Sequence, residues 1–203
     1  MASTASMEEA LEYFKRLYLT FKDEIAVRSP NRKQFAAFSL DLAGLYPDRP
    51  IFRGQDFGDG GLLSWDFAVA TCSRSRHGQV EHAEQRILCH LISNLEDMAY
   101  LNDADHTLLL FSFYSPCEEC SIFIEQLLRG LRKTLPRMTT ILGYVEMYVG
   151  KEDRKLTSEA TSSMDTLGTL YKLKEQFPKF DVLEIPNVVH QDSFIGKLYV
   201  KDD

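Results

Sequence analysis

With 203 residues, 44% of them apolar and 26% charged, the chain has the length and composition of a single globular domain with a sizeable core. No apolar run approaches a membrane-spanning helix, and the opening MASTASMEEALEYF lacks a secretory signal's basic start and apolar stretch, so a cytoplasmic or nuclear protein without membrane partners is expected. Charges balance over residues 1–80, so the formal net charge of −7 lies in 81–203; this excludes indiscriminate whole-surface binding to nucleic acid and leaves room for a local basic groove.

Met7, Leu11, Phe14, Tyr18, Phe21 and Ile25 recur at threes and fours, which predicts an amphipathic helix over 7–28, stopped by Ser29-Pro30. Its stripe is expected to pack on the core rather than to bind a partner. QFAAFSLDL (34–42) and LLSWDFAVATC (62–72) read as two antiparallel strands. The Gly/Pro/Asp-rich stretch 44–61 joins them, and Leu63, Trp65, Phe67 and Val69 alternate onto one face of the second. A helix is expected from about Glu81 to Tyr100, buried along Ile87, Leu88, Leu91, Ile92, Leu95 and Met98. TLLLFSF (107–113) is apolar nearly throughout and predicts a central strand covered on both faces.

A helix from Cys117 to about Leu135 turns Phe123, Ile124, Leu127, Leu128 and Leu131 inward. TILGYVEMYVG (140–150) is a strand, Met164, Leu167, Leu170, Tyr171 and Phe177 mark a further helix, and FDVLEI (180–185) is the last strand. The tail 186–203 has no single reading. Helices separate the last three strands, so right-handed crossovers should make them parallel. The expected fold is a three-layer α/β/α domain spanning 1–203, with a five-stranded mixed sheet and a core over about 34–185.

Two motifs carry chemistry. His82-Ala83-Glu84 and Pro116-Cys117-Glu118-Glu119-Cys120 each open a helix that follows a strand. Neighbouring crossover helices start at the same sheet edge, where open α/β sheets bind ligands. Cys117 and Cys120, three apart, share a helix face, so His82 and both thiols should converge. Helix N-termini favour thiolate over thiol, and one nitrogen with two sulfurs suits Zn²⁺ with a fourth position open for water. Zinc brings that water's pKa towards neutrality, and Glu84, two residues from His82, can accept and redeliver its proton. A structural zinc ribbon would need two more ligands at similar spacing, and Cys72 and Cys89 are too scattered; both are expected as buried thiols.

The combined pattern, H-A-E followed by P-C-E-E-C, resembles the zinc-dependent cytidine deaminase superfamily over roughly residues 8–185. The helix expected between the last two strands is similar to the branch holding the AID/APOBEC, tRNA adenosine and deoxycytidylate deaminases. FYSPCEEC resembles the AID/APOBEC S-W-S-P-C element with Tyr114 at the Trp position, and YVGKEDRK (148–155) resembles those enzymes' loop after the fourth strand. The resemblance implies a cytidine-deaminase-like fold and Glu84 as general acid/base. It further implies Tyr114 packed on the target base, the Ser115 carbonyl on its amino group, and the Ala83 N–H on its O2. Adenine remains an alternative target, since the zinc chemistry is shared.

Three locally basic stretches should ring the pocket: Arg28, Arg32 and Lys33; Arg74, Arg76 and His77; Lys151, Arg154 and Lys155. Arg32, Arg76 and Arg154 are the candidates for tracking the phosphates of a single strand. Trp65 and Phe67 are expected in the core, and His90, His106 and His190 as surface or structural histidines. Deamination of cytosine in single-stranded DNA or RNA is the leading expectation. Deamination of a free nucleoside or nucleotide suits the acidic charge. A catalytically silent zinc fold that binds nucleic acid or acts as a scaffold is the third reading, and it leaves Glu84 without a use. Oligomeric state is not legible.

Overall fold

A strand buried along nearly its whole length must lie inside a sheet with cover on both faces, and Phe35–Leu40 and Thr107–Tyr114, among the described residues, meet that condition. The computed structural model describes residues 5–28, 35–42, 62–63, 67–71, 73–74, 80–146 and 160–185. In it, β1 (Phe35–Leu40) is buried throughout, and β6 (Thr107–Tyr114) is buried up to its last residue. The other strands are β2 (Leu62–Leu63), β3 (Phe67–Thr71), β4 (Ser73–Arg74), β5 (Val80–Glu81), β7 (Thr139–Glu146) and β8 (Phe180–Glu184). The helices are α1 (Met7–Arg28), α2 (Ala83–Ser93), α3 (Glu118–Thr134) and α4 (Ala160–Gln176), with a 3-10 helix over Asp97–Asp103.

The protein is α/β, with five principal strands in the order β3-β1-β6-β7-β8 and the two-residue β2 on the β3 edge. β1 runs antiparallel to both β3 and β6, whereas β6, β7 and β8 are mutually parallel, as the alternation of strands and helices predicts. Alternate side chains feed two cores. Ala36, Phe38, Leu108, Leu110 and Leu142 pack with α2, α3 and α4. Phe35, Ala37, Phe67, Val69, Leu109, Phe111 and Ile141 pack with α1. Three layers result, with α1 the helix that covers one face among the described residues. Phe67 is thus a core residue, as expected; Trp65 lies outside the described residues.

Several expectations need correction. LLSWDFAVATC is two strands: Leu62 and Leu63 pair antiparallel with Val69 and Ala68, so Leu63 does not continue the Phe67–Val69 face. Alternation cannot separate one long strand from two that fold back, because period two persists in both. The helix expected to reach Tyr100 ends at Ser93, where the Asn94 side chain donates to the His90 carbonyl at 2.7 Å. Met98 and Leu101 reach the core from the 3-10 helix that follows. In α1 the buried stripe is Ala10, Tyr13, Phe14, Leu17, Tyr18 and Phe21, while Met7 is exposed; Ile25 has no described side chain. In α4, Leu170 and Leu173 are buried and Tyr171 is exposed. Phe123 is only partly buried in α3. The basic loop expected near Arg76 is flanked by a small ribbon in which Ser73 pairs with Glu81 and Arg74 with Val80. Residues 147–159 and 186–203 lie outside the described residues.

Two close fits set the sheet. Gly143, central in β7, pairs with Phe111 on one side and Leu183 on the other. A Cβ there would lie 2.5 Å from the Phe14 ring, so glycine is what lets α1 seat against the sheet. At the end of β1 the chain turns through Asp41 (φ 50°) and Leu42 (φ 63°). Asp41 Oδ1 accepts from the buried Thr107 N–H at 2.7 Å and its Oδ2 pairs with His106 Nδ1, so a short polar side chain that tolerates left-handed backbone pins the start of β6.

Candidate metal centre

β3 and β6 run in the same direction with β1 between them, so α2 and α3, which lead out of the β3 and β6 ends, both begin at one edge of the sheet. His82 is the N-cap of α2 and Cys117 the N-cap of α3, each in extended backbone, one position before the first helical turn. Gln85 fixes His82 by accepting its backbone N–H at 3.0 Å, half of a capping box. Pro116 holds the entry to α3, and Ser115 N–H donates to the Glu146 carbonyl at 2.7 Å, which extends the β6–β7 ladder up to the motif. Gln85 Nε2 reaches Glu119 Oε2 at 3.4 Å, Arg86 Nη1 donates to the Thr71 carbonyl at 3.1 Å, and the Ser121 hydroxyl donates to the Cys117 carbonyl at 3.0 Å. The two helix starts are therefore fixed to each other and to β3.

Here His82 Nδ1 lies 3.4 Å from both Cys117 Sγ and Cys120 Sγ. All three donor atoms lie within 4.8 Å of one another, close enough to hold one metal ion. Cys120 is buried, and His82 and Cys117 are partly buried, so the group opens on one side. A hydrogen bond from Cys120, followed by one from His82, holds Cys117 far below the usual thiol range, and the same Cys117 bond pushes Cys120 up. The Cys117 contact raises His82 against its burial.

Glu84 lies one turn-step inside α2, partly buried by accessible area yet with a desolvated carboxyl, and burial pushes it above the usual carboxylate range. The Ser112 hydroxyl, 2.6 Å from Glu84 Oε1, pulls the other way. That hydroxyl also faces the Tyr114 carbonyl, so one hydrogen serves two acceptors. Ser112 is absent from the residues that the sequence singles out. It reads as a core position of an apolar run, and only its place on the α2 side of β6, five residues before Cys117, hints otherwise.

Ala83 is the buried first residue of α2. Tyr114 is partly buried, its ring edge-on to Phe113 at 4.8 Å between centroids and packed against the α1-side core. Ser115 is buried beside the motif. Arg32, Arg76 and Arg154 lie outside the described residues. His106 and His90 have structural partners, Asp41 and the Phe38 ring respectively. Cys89 is exposed, not buried: two residues from buried Ile87 and Leu91, it points away from the face they share. Among the described residues no helix is long and apolar enough to cross a membrane. No protein-family model matches the sequence, and no curated protein matches it.

Proposed function

We propose that this chain is a zinc-dependent hydrolytic deaminase of the cytidine-deaminase type, converting cytosine to uracil in single-stranded DNA or RNA. The observation that carries the reading is the convergence of His82, Cys117 and Cys120, with Glu84 two residues after His82 in the first turn of α2. A tetrahedral zinc with ordinary Zn–N and Zn–S bonds separates nitrogen from sulfur by about 3.5 Å. The two His82-to-sulfur spacings, 3.4 Å each, are close to that value. The order of strands and helices, with three parallel strands at the end, supports the same family reading.

When bound, zinc supplies a water whose pKa is near neutrality. The protein's own part is proton handling and enclosure. Glu84 would accept a proton from the attacking water and deliver it to the departing amine. A C–O bond forms at the base's C4, the C–N bond breaks, and water plus cytosine gives uracil plus ammonia. A carboxyl raised by burial is suited to both halves of that exchange, since it holds a proton more readily than a surface glutamate does. The Ala83 N–H, at the start of α2, would be the donor that orients a base carbonyl.

The net charge of −7 favours a second reading, deamination of a free nucleoside or nucleotide. One experiment decides. Zinc-loaded protein is incubated in parallel with single-stranded DNA, single-stranded RNA, cytidine and deoxycytidine monophosphate, and uracil and ammonia are measured. Polymer turnover above monomer turnover is expected. Faster monomer turnover would establish the second reading, and no product from any of the four would overturn both.

A further inference from the structure

A carboxyl that must take and return a proton has to keep one oxygen on the reacting side, and a glutamate side chain with three rotatable bonds does not do so unaided. Ser112 supplies the constraint. It is 1% exposed and sits in β6, paired with Ala36 on one side and Tyr144 on the other, so its backbone is fixed by ladders on both edges. Its hydroxyl is aimed at Glu84 Oε1, 2.6 Å away, from the sheet side of α2. It also contacts the Tyr114 carbonyl, at the end of the same strand. We infer that Ser112 is the positioning residue for Glu84, holding Oε1 against the sheet so that Oε2 faces the metal group and the substrate.

The inference rests on the deaminase reading and adds a residue to it. The hydroxyl has two partners, Glu84 Oε1 and the Tyr114 carbonyl, and it is through the first that Ser112 acts on the proton carrier. Its loss should therefore lower kcat and leave KM and metal content unchanged. A purely structural serine would give either no effect or a loss of fold and zinc together. Residues that orient a metal site's working groups from behind typically cost about 10–100-fold in activity when removed.

The test uses the zinc-loaded full chain and the variants Ser112→Ala, Ser112→Thr and Ser112→Val. Threonine and valine have the same shape, so they separate the hydroxyl from packing. Zinc near one per chain is expected in all. Alanine and valine should lower kcat by about 10–100-fold with KM within a few-fold, and threonine should restore most of the loss. A second measurement does not need turnover: thermal unfolding of Ser112→Ala, Glu84→Ala and the double variant. The double variant's shift should differ from the sum of the two single shifts, because the residues touch. Full additivity, wild-type kcat in Ser112→Ala, or equal kcat in threonine and valine variants would each overturn the inference. A wild type silent on every cytosine substrate would overturn the deaminase reading and this one together. An active wild type with an unimpaired Ser112→Ala overturns only this one.

Discussion

Gly143→Ala adds one methyl group at a point of close contact between α1 and the sheet. The new Cβ would lie 2.5 and 2.6 Å from Cδ2 and Cε2 of Phe14 and 3.0 Å from its Cγ, all inside normal contact. Neither partner can give way easily. Phe14 is fully buried, with its ring centroid 6.1 Å from that of Phe111, and Gly143 is held by strands on both sides. Overpacking of this kind costs roughly 1–3 kcal/mol. For a domain of this size each kcal/mol lowers Tm by about 2–4 °C, so a fall of some 2–12 °C is expected by calorimetry. Phe14→Leu should remove much of the clash, so the double variant should lose less than the two single losses combined. The metal group lies on the opposite face, and zinc content should not change. A Tm within 1 °C of wild type, or strict additivity with Phe14→Leu, would refute the packing of α1 and, with it, the register that carries Ser112 and Cys117.

Cys117→Ala or Cys120→Ala should abolish zinc in elemental analysis, and chelation should lower the wild-type Tm, because the metal joins two helix starts; undiminished zinc in either variant would remove those ligands. Asp41→Ala leaves the buried Thr107 N–H without its acceptor and should destabilise by about 1–3 kcal/mol in denaturant unfolding, whereas Asp41→Asn, which keeps an acceptor oxygen, should lose less. If the substrate is a polymer, charge reversal at Arg32, Arg76 or Arg154 should weaken oligonucleotide binding and reduce its salt slope by about one unit each, with zinc unchanged; binding that ignores salt and all three reversals would exclude phosphate tracking.

The His82, Cys117 and Cys120 cluster was legible because its information is local. Residue type and spacing place His82, Cys117 and Cys120 at helix starts, and the alternation of strands and helices brings those starts to one edge. The parallel order of the last three strands followed from the same alternation. What escaped is what an apolar period by itself does not record. The end of α2 at Ser93 was masked because Ile92, Leu95 and Met98 continue an apolar period that the Asn94 side chain interrupts. The fold-back of Leu62–Leu63 was masked because both strands alternate. Ser112 was masked because a hydroxyl inside an apolar strand is informative only once α2 lies over it. Cys89 could have been placed: two residues from Ile87 and Leu91, it falls off their face by helical geometry alone.

The most direct test of the account is to incubate zinc-loaded wild type and Glu84→Gln with a single-stranded oligomer carrying one cytosine, in water enriched in oxygen-18, and weigh the product. The account predicts that wild type converts the cytosine to uracil with a solvent oxygen at C4. Glu84→Gln, with zinc retained, should lose at least the roughly 10²–10⁴-fold that a positioned proton carrier contributes. Conversion by Glu84→Gln at the wild-type rate, or a product without solvent oxygen, would contradict it.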